Sequence, residues 1–229
     1  MIGVDLREAE VLADLGSPAG RMTAIEGVLR AAGGALDGAV ACAGLGPHHD
    51  DVAAIVSVNY FGAVAFLDGV RAALAAGCEP SAVAVSSNSA TISPDADGAL
   101  ASACLAGDEG EARRLAAATD GIWVYAASKL ALARFVRRAA TAGGWAGAGI
   151  RLNAVAPGAT LTPLLRGSLD HPALGAAIRG FPIPLGGFGT PDHIATAIAF
   201  LLGPEAAFCC GSVLFVDGGS DALLRPDTL

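Results

Sequence analysis

The sequence predicts a single α/β domain, residues 1–229, built on a doubly wound parallel sheet. Three observations lead there. Short apolar runs alternate with helical patterns along the whole chain; no internal repeat and no Ser-, Gly- or Pro-rich linker divides it; and polar or glycine residues recur just after the apolar runs, where such a sheet gathers its ligands. With 229 residues, 53% hydrophobic and 16% charged, the chain can bury one core and is too apolar for disorder. Thirty-one glycines and abundant alanine beside two Tyr and two Trp favour helices packed closely on a sheet over an aromatic-rich sandwich.

In chain order, MIGVDL (1–6) reads as a strand that ends on Asp5. The stretch 17–32 has apolar residues at three- and four-residue spacing and reads as a crossover helix. DGAVACAG (37–44) is a second strand, and 52–76 a second helix, with Val56, Tyr60, Val64, Leu67 and Val70 on one stripe. SAVAVSS (81–87), IRLNAVAPG (150–158) and SVLFVDGG (212–219) complete the strands; 124–143 and 190–202 complete the helices. Right-handed crossovers place function at the carboxyl ends of the strands. Those ends carry Asp5, Cys42-Ala43-Gly44, Ser86-Ser87, Pro157-Gly158 and Asp217-Gly218-Gly219.

Composition excludes several classes. A net charge of -8 with scattered Lys and Arg offers no basic face, so no nucleic-acid partner is expected. The five cysteines are odd in number and lack C-x-x-C spacing; they read as reduced, mostly core residues, and no metal is expected. His48-His49 with Asp50-Asp51 lacks further ligands at suitable spacing and reads as a polar loop. Charge at Asp5 and Arg7 comes too early for a signal peptide, and no apolar run approaches about 18 residues without Gly or charge. A cytoplasmic protein with no membrane partner is the expectation.

Y-A-A-S-K at 125–129 places Tyr125 and Lys129 one helical turn apart on one face. A free phenol titrates near ~10, and an adjacent cation lowers that value toward useful proton exchange. This spacing alone also fits a helix-start aromatic and a solvated lysine. Ser87, ending the preceding strand, and Asn59, set among apolar residues of a helix, add to it: a buried Asn needs partners.

In this order, Asn59, Ser87, Tyr125 and Lys129 resemble the catalytic tetrad of the short-chain dehydrogenase/reductase family, whose fold is Rossmann-like. C-A-G (42–44) stands where that family usually has N-A-G, N-A-V-A-P-G-A-T-L-T (153–162) resembles its Pro-Gly nicotinamide segment, and V-L-F-V-D-G-G (213–219) its last strand. The phrases G-V-D-L-R-E-A-E-V, C-A-G-L-G-P, V-S-V-N-Y-F-G-A and P-G-A-T-L-T-P-L-L most resemble its bacterial 3α-hydroxysteroid dehydrogenase/carbonyl reductase group.

The resemblance implies NAD(H)-dependent interconversion of a secondary alcohol and a ketone on a lipophilic or steroid-like substrate. Ser87 would hold the substrate oxygen and Tyr125 exchange the proton. Lys129 would bind the nicotinamide ribose and depress the Tyr pKa, and Asn59 would position a water. Asp5-Leu6, Asp14-Leu15, Cys42-Ala43-Gly44, Pro157, Gly158, Thr160 and Thr162, with Tyr125 and Lys129, would line the cofactor. A carboxylate at Asp5 favours NAD over NADP because it repels a 2′-phosphate, although Arg7 stands nearby. Segments 90–123 and 161–188 read as substrate-side; the first also fits a solvated insertion, the second a subunit contact. Helices 52–76 and 124–143 imply a homodimer or homotetramer.

That family opens with a strand, a glycine-rich turn and a helix that holds the pyrophosphate. Met1 reads as lying inside the second strand, with about 30 residues of that unit absent, as a mis-set start would leave it. The absent strand would occupy the sheet centre, so either residues 1–6 pair directly with 37–44 or the first ~30 residues fold poorly and expose an edge. Losing two or three contacts of about 1.5–3 kcal/mol each would weaken NAD binding strongly, which keeps a second reading open: a non-catalytic relative acting by association.

Overall fold

A computed structural model describes residues 1–228 apart from 94, 95, 97 and 173. Pro94, Asp95 and Asp97 of the segment 90–123, Ala173 of 161–188 and the terminal Leu229 thus lie outside the described residues. Strands β3 (Gly38–Ala41), β4 (Ser81–Val85), β5 (Arg151–Pro157) and β6 (Val213–Val216) form a parallel sheet in the order β3-β4-β5-β6. Side-chain alternation divides its residues between two cores. Ala82, Ala84, Leu152 and Ala154 face one core; Val83 and Val155 face another, together with Leu201 of the last long helix.

The N-terminal part departs from the expected continuous sheet. The predicted strand 1–6 shortens to β1 (Val4–Asp5) and pairs in parallel with β2 (Val11–Leu12), an element the hydropathy pattern did not suggest, instead of with 37–44. No described strand lies between β1 and β3. A slot of about 650 Å³, lined by Ile2, Val4, Leu36, Ala39, Ala41 and Phe66, separates the two sheets. The first 30 residues are nonetheless ordered by local chemistry. Helix α1 (Pro18–Ala32) starts at Ser17, whose hydroxyl accepts the Gly20 N–H at 3.1 Å; Pro18 opens it, and Gly33, at φ 65°, ends it in the left-handed conformation.

The predicted helix 52–76 is α2 (Val52–Val56), a π-helical turn (Ser57–Gly62) and α3 (Ala63–Ala75). Asp51 caps it by accepting the Ala54 N–H. By length and composition Val52–Ala75 could cross a membrane; here Ile55, Val56, Leu67, Val70 and Leu74 are fully buried in the core against the sheet. Gly69 lets α1 approach closely, since a Cβ there would overlap Ile25. Helix α7 (Gly121–Ala140) starts at Asp120, which accepts the Ile122 N–H, and carries Arg137 and Arg138 in its last turn, where cations oppose the negative helix end.

The segment 90–123 packs its middle on the domain core, while Ile92 and Ile122 near its two ends line the cavity described below. Short helix α4 (Ser89–Ile92) leads to α5 (Ala99–Leu105) and α6 (Glu109–Ala117), which pack on α7 and α2 through Leu100, Ala101, Cys104, Ala112 and Ala116, all buried. Its charges divide by face. Glu111 and Arg114 pair in solvent, while Glu109 and Arg113 turn inward onto Arg21 and Ser57. On the two helices expected to form a subunit contact, Leu67, Val70 and Ala126–Ala133 apart from Leu130 are buried within the chain, and Val64 is half-buried.

Candidate active site

Three strand ends and α7 converge on a cavity of about 640 Å³. Ser87, two residues past β4, Tyr125 and Lys129 of α7, Cys42 and Gly44 past β3, and Pro157, Gly158, Thr160 and Thr162 at the end of β5 all line it. Lys129 is 3% exposed and donates from Nζ to the Val85 carbonyl at 2.8 Å; Ser86 in turn donates from Oγ to the Lys129 carbonyl at 2.8 Å, so α7 is pinned to the end of β4. Its Nζ stands 5.8 Å from the centre of the Tyr125 ring.

Burial dominates the protonation of this pair. It pushes the Tyr125 phenol up from its ordinary value, against which a hydrogen bond to Ser87 pulls down. Burial pushes the Lys129 ammonium down to about 8, with a smaller opposing effect from Cys42. Ser87 is 8% exposed and its Oγ is ordered by Ser89, through the backbone N–H at 3.2 Å and the hydroxyl at 3.0 Å.

Asn59 sits behind the cavity wall, in the π-helical turn. Its Oδ1 accepts the Leu45 N–H at 2.7 Å, and its Nδ2 donates to the Leu45 carbonyl at 3.0 Å and to Ser128 Oγ at 3.3 Å. Every polar atom of this fully buried side chain is therefore engaged. The side chain clamps the loop after β3. Gly44 tolerates that clamp because a Cβ would lie 3.3 Å from Asn59 Oδ1 and 3.4 Å from Lys129 Nζ. At Gly158 a Cβ would meet Asp217 at 2.7 Å.

The remaining expected cofactor residues lie apart from this cavity. Leu15 and Ala43 line the slot between β1 and β3, and Cys42 borders both spaces. Asp5 and Leu6 are exposed at the end of β1, where Asp5 Oδ1 accepts the Arg7 N–H at 3.1 Å. Asp14 Oδ1 accepts the Gly16 N–H at 2.8 Å and shapes the turn into α1. That turn is held from below by Arg21, which donates to the carbonyls of Leu15 (2.8 Å) and Ser57 (2.9 Å) and pairs with Glu109 at 2.7 Å.

Opposite the polar wall, the cavity is apolar. Helix α8 (Pro163–Asp170) contributes Leu164 and Leu165, Leu174 precedes α9 (Gly175–Arg179), which contributes Ile178, and Phe181 follows; Ile92 and Ile122 come from near the two ends of the segment 90–123. Sequence reasoning did not single out Ile92, Ile122, Leu174 or Ile178. Nothing in their local pattern distinguishes them from core aliphatics.

A family profile described as "Enoyl-(Acyl carrier protein) reductase" matches residues 114–221. The chain is 43% identical over 229 residues to the 3-alpha-hydroxysteroid dehydrogenase/carbonyl reductase of Comamonas testosteroni, spanning 99% of this chain and 88% of that protein. The chain belongs to the short-chain dehydrogenase/reductase family. It is an oxidoreductase of that family. The crystal structure of the 3-alpha-hydroxysteroid dehydrogenase from Pseudomonas sp. B-0831, complexed with NADH, superimposes with a TM-score of 0.96 at 48% identity over 100% of this chain and 89% of that one. A 3-ketoacyl-(acyl-carrier-protein) reductase from Brucella melitensis, also complexed with NADH, reaches a TM-score of 0.66 at 26% identity over 92% and 77%. Membership of the short-chain dehydrogenase/reductase family thus rests on essentially the whole chain. The reading as a non-catalytic protein acting by association is not favoured, since these relatives are named dehydrogenases and reductases.

Proposed function

We propose that this oxidoreductase interconverts a secondary alcohol and a ketone with NAD(H), on a lipophilic, steroid-like substrate. The observation that carries the reading is the division of the cavity: Ser87, Tyr125 and Lys129 stand on one wall, and Leu164, Leu165, Leu174, Ile178 and Phe181 on the other. An apolar wall of this extent suits a hydrocarbon skeleton, and the polar wall suits one oxygen. The named steroid-dehydrogenase relatives support the same class.

The residues fit the nicotinamide end of the cofactor. Gly44, Pro157 and Gly158 line the cavity beside Cys42 and Tyr125, and the Lys129 ammonium stands 5.8 Å from the centre of the Tyr125 ring. When bound, NAD(H) supplies or accepts the hydride. Ser87 holds the substrate oxygen by hydrogen bond, and Tyr125 gives that oxygen its proton in reduction or takes it in oxidation. Lys129, close to the ring, stabilises the phenolate that reduction leaves. Asp5, exposed at the end of β1, supports NAD over NADP because its carboxylate repels a 2′-phosphate.

NADH-dependent reduction of a fused-ring ketone tests the reading. Tyr125→Phe should lower kcat by about 10²–10⁴-fold, the usual range for a positioned acid. Equal turnover by the two proteins would overturn it. KM for NADH should lie below that for NADPH; the reverse order would remove the role given to Asp5.

A further inference from the structure

The substrate-side wall is a span of chain fastened at both ends. At its base, Thr160 bridges Gly189, with the Leu161 N–H donating to the Gly189 carbonyl at 2.9 Å. At its far end, Ser220 Oγ donates to the Pro182 carbonyl at 2.7 Å and the Leu185 N–H to the Gly218 carbonyl at 3.0 Å. Helix α8 hangs between these points. It carries Leu164 and Leu165, half of the apolar wall nearest the loop after β3.

Among the described residues, one side-chain hydrogen bond joins α8 to that loop across the cavity. His48 Nδ1 lies 2.9 Å from Oγ of Ser168, a side chain on α8 that is 2% exposed. The Ser168 hydroxyl has one hydrogen, and the Leu164 carbonyl lies 3.2 Å away. The arrangement that satisfies all three atoms has Ser168 donating to Leu164 and the His48 Nδ1–H donating to Ser168. Two glycines make room for the ring. A Cβ on Gly46 would lie 2.9 Å from Cε1, and one on Gly167 would lie 2.7 Å from Nε2. Neighbouring Pro47 lines the cavity, so the imidazole bridges two of its walls without touching the reacting atoms.

We infer that His48 is a positioning residue that clasps α8 over the cavity through Ser168 and so sets the fit of bulky substrates. The inference rests on the reading of this cavity as the ketone site. Without the clasp, no hydrogen bond among the described residues ties the middle of α8 to the opposite wall, and Leu164, which packs on Gly46, and Leu165 are held less firmly at their distance from Ser87 and Tyr125. A large ring system needs that distance; a small ketone does not.

His48→Ala should raise KM for trans-1-decalone about two- to tenfold, the worth of one net hydrogen bond, while leaving KM for cyclohexanone and both kcat values unchanged. His48→Asn, whose Nδ2 replaces Nδ1 at a similar reach, should restore the wild-type KM. Trypsin supplies a readout free of catalysis: Arg166, exposed on α8, should be cut faster in His48→Ala by a similar factor, with cutting at exposed Arg30 on α1 unchanged as the internal reference. Ser168→Ala should reproduce both effects and add nothing in the double variant. Unchanged cutting at Arg166 would overturn the clasp, and so would faster cutting with an unaltered decalone-to-cyclohexanone KM ratio. If the wild-type protein reduced no ketone while Arg166 cutting still rose in His48→Ala, the clasp would stand and the functional reading would fall.

Discussion

Lys129 should stabilise catalysis at the expense of the fold, and Lys129→Met separates the two. Burial holds this ammonium near 8, against 10.5 for an ordinary lysine. At about 1.4 kcal/mol per tenfold, carrying the charge at neutral pH costs the folded protein on the order of 3 kcal/mol. Methionine keeps the apolar stem and removes that cost, but it leaves the Val85 carbonyl without its 2.8 Å donor, a loss of about 1–2 kcal/mol. The variant should therefore be more stable than the wild type by about 1–2 kcal/mol near pH 7, and inactive. The pH dependence has a definite sign. Because the folded value is the lower one, the unfolded chain binds a proton that the native chain has released between about 8 and 10.5, so wild-type stability rises through that window. The Met variant lacks this rise. Guanidinium unfolding of both proteins near pH 7 and near pH 10 should show the variant's advantage shrinking or reversing. A variant less stable at neutral pH, or an advantage independent of pH, would refute the argument.

Glu109→Ala should destabilise the protein by about 2–4 kcal/mol in the same assay, because it strands the guanidinium of Arg21, whose side chain is 8% exposed; the lower end of the range reflects the 23% exposure of Glu109 itself. Burial raises the Glu109 pKa, yet hydrogen bonds from Arg21 and Ser57 and the charges of Arg21 and Arg113 outweigh it and leave the net value lowered. The stabilisation is thus present above the ordinary carboxylate value and lost as pH falls through the folded one, and the gap between wild type and variant should close in acid. Gly20→Ala should cost about 1–3 kcal/mol and raise KM for NADH, since its Cβ would overlap the Asp14 carbonyl and displace the Asp14-Leu15 turn. An unchanged melting curve together with an unchanged KM would count against the packing described for that turn.

Much of this architecture could be read from residue pattern. The short apolar runs in SAVAVSS and IRLNAVAPG mark strands buried on both faces, and apolar residues at three- and four-residue spacing mark the long helices. The polar residues at strand ends were legible for the same reason, because the sheet gathers them at one edge whatever fills the loops. Less local features were hidden. Two-residue β2 has too little chain to show a period. The D-E-G-E-A-R-R-L helix looks solvated, since nothing local tells Glu109 and Arg113, which meet Arg21 and Ser57, from Glu111 and Arg114, which meet each other. His48 reads as one polar residue of a loop until α8 is placed 120 positions further on.

The slot between β1 and β3 bears on stiffness. In an unbroken sheet, backbone ladders would lock the Asp5 and Asp14 side of the molecule to the Ser87 and Tyr125 side. Here no ladder of the described residues crosses that line, so shear between the halves is resisted by side chains, among them Val28 in the core, Ile25 seated on Gly69, and the Arg21 guanidinium reaching from the Leu15 turn to Ser57 and Glu109. A ligand that spans both halves therefore has its two ends aligned by side-chain packing and not by a backbone ladder.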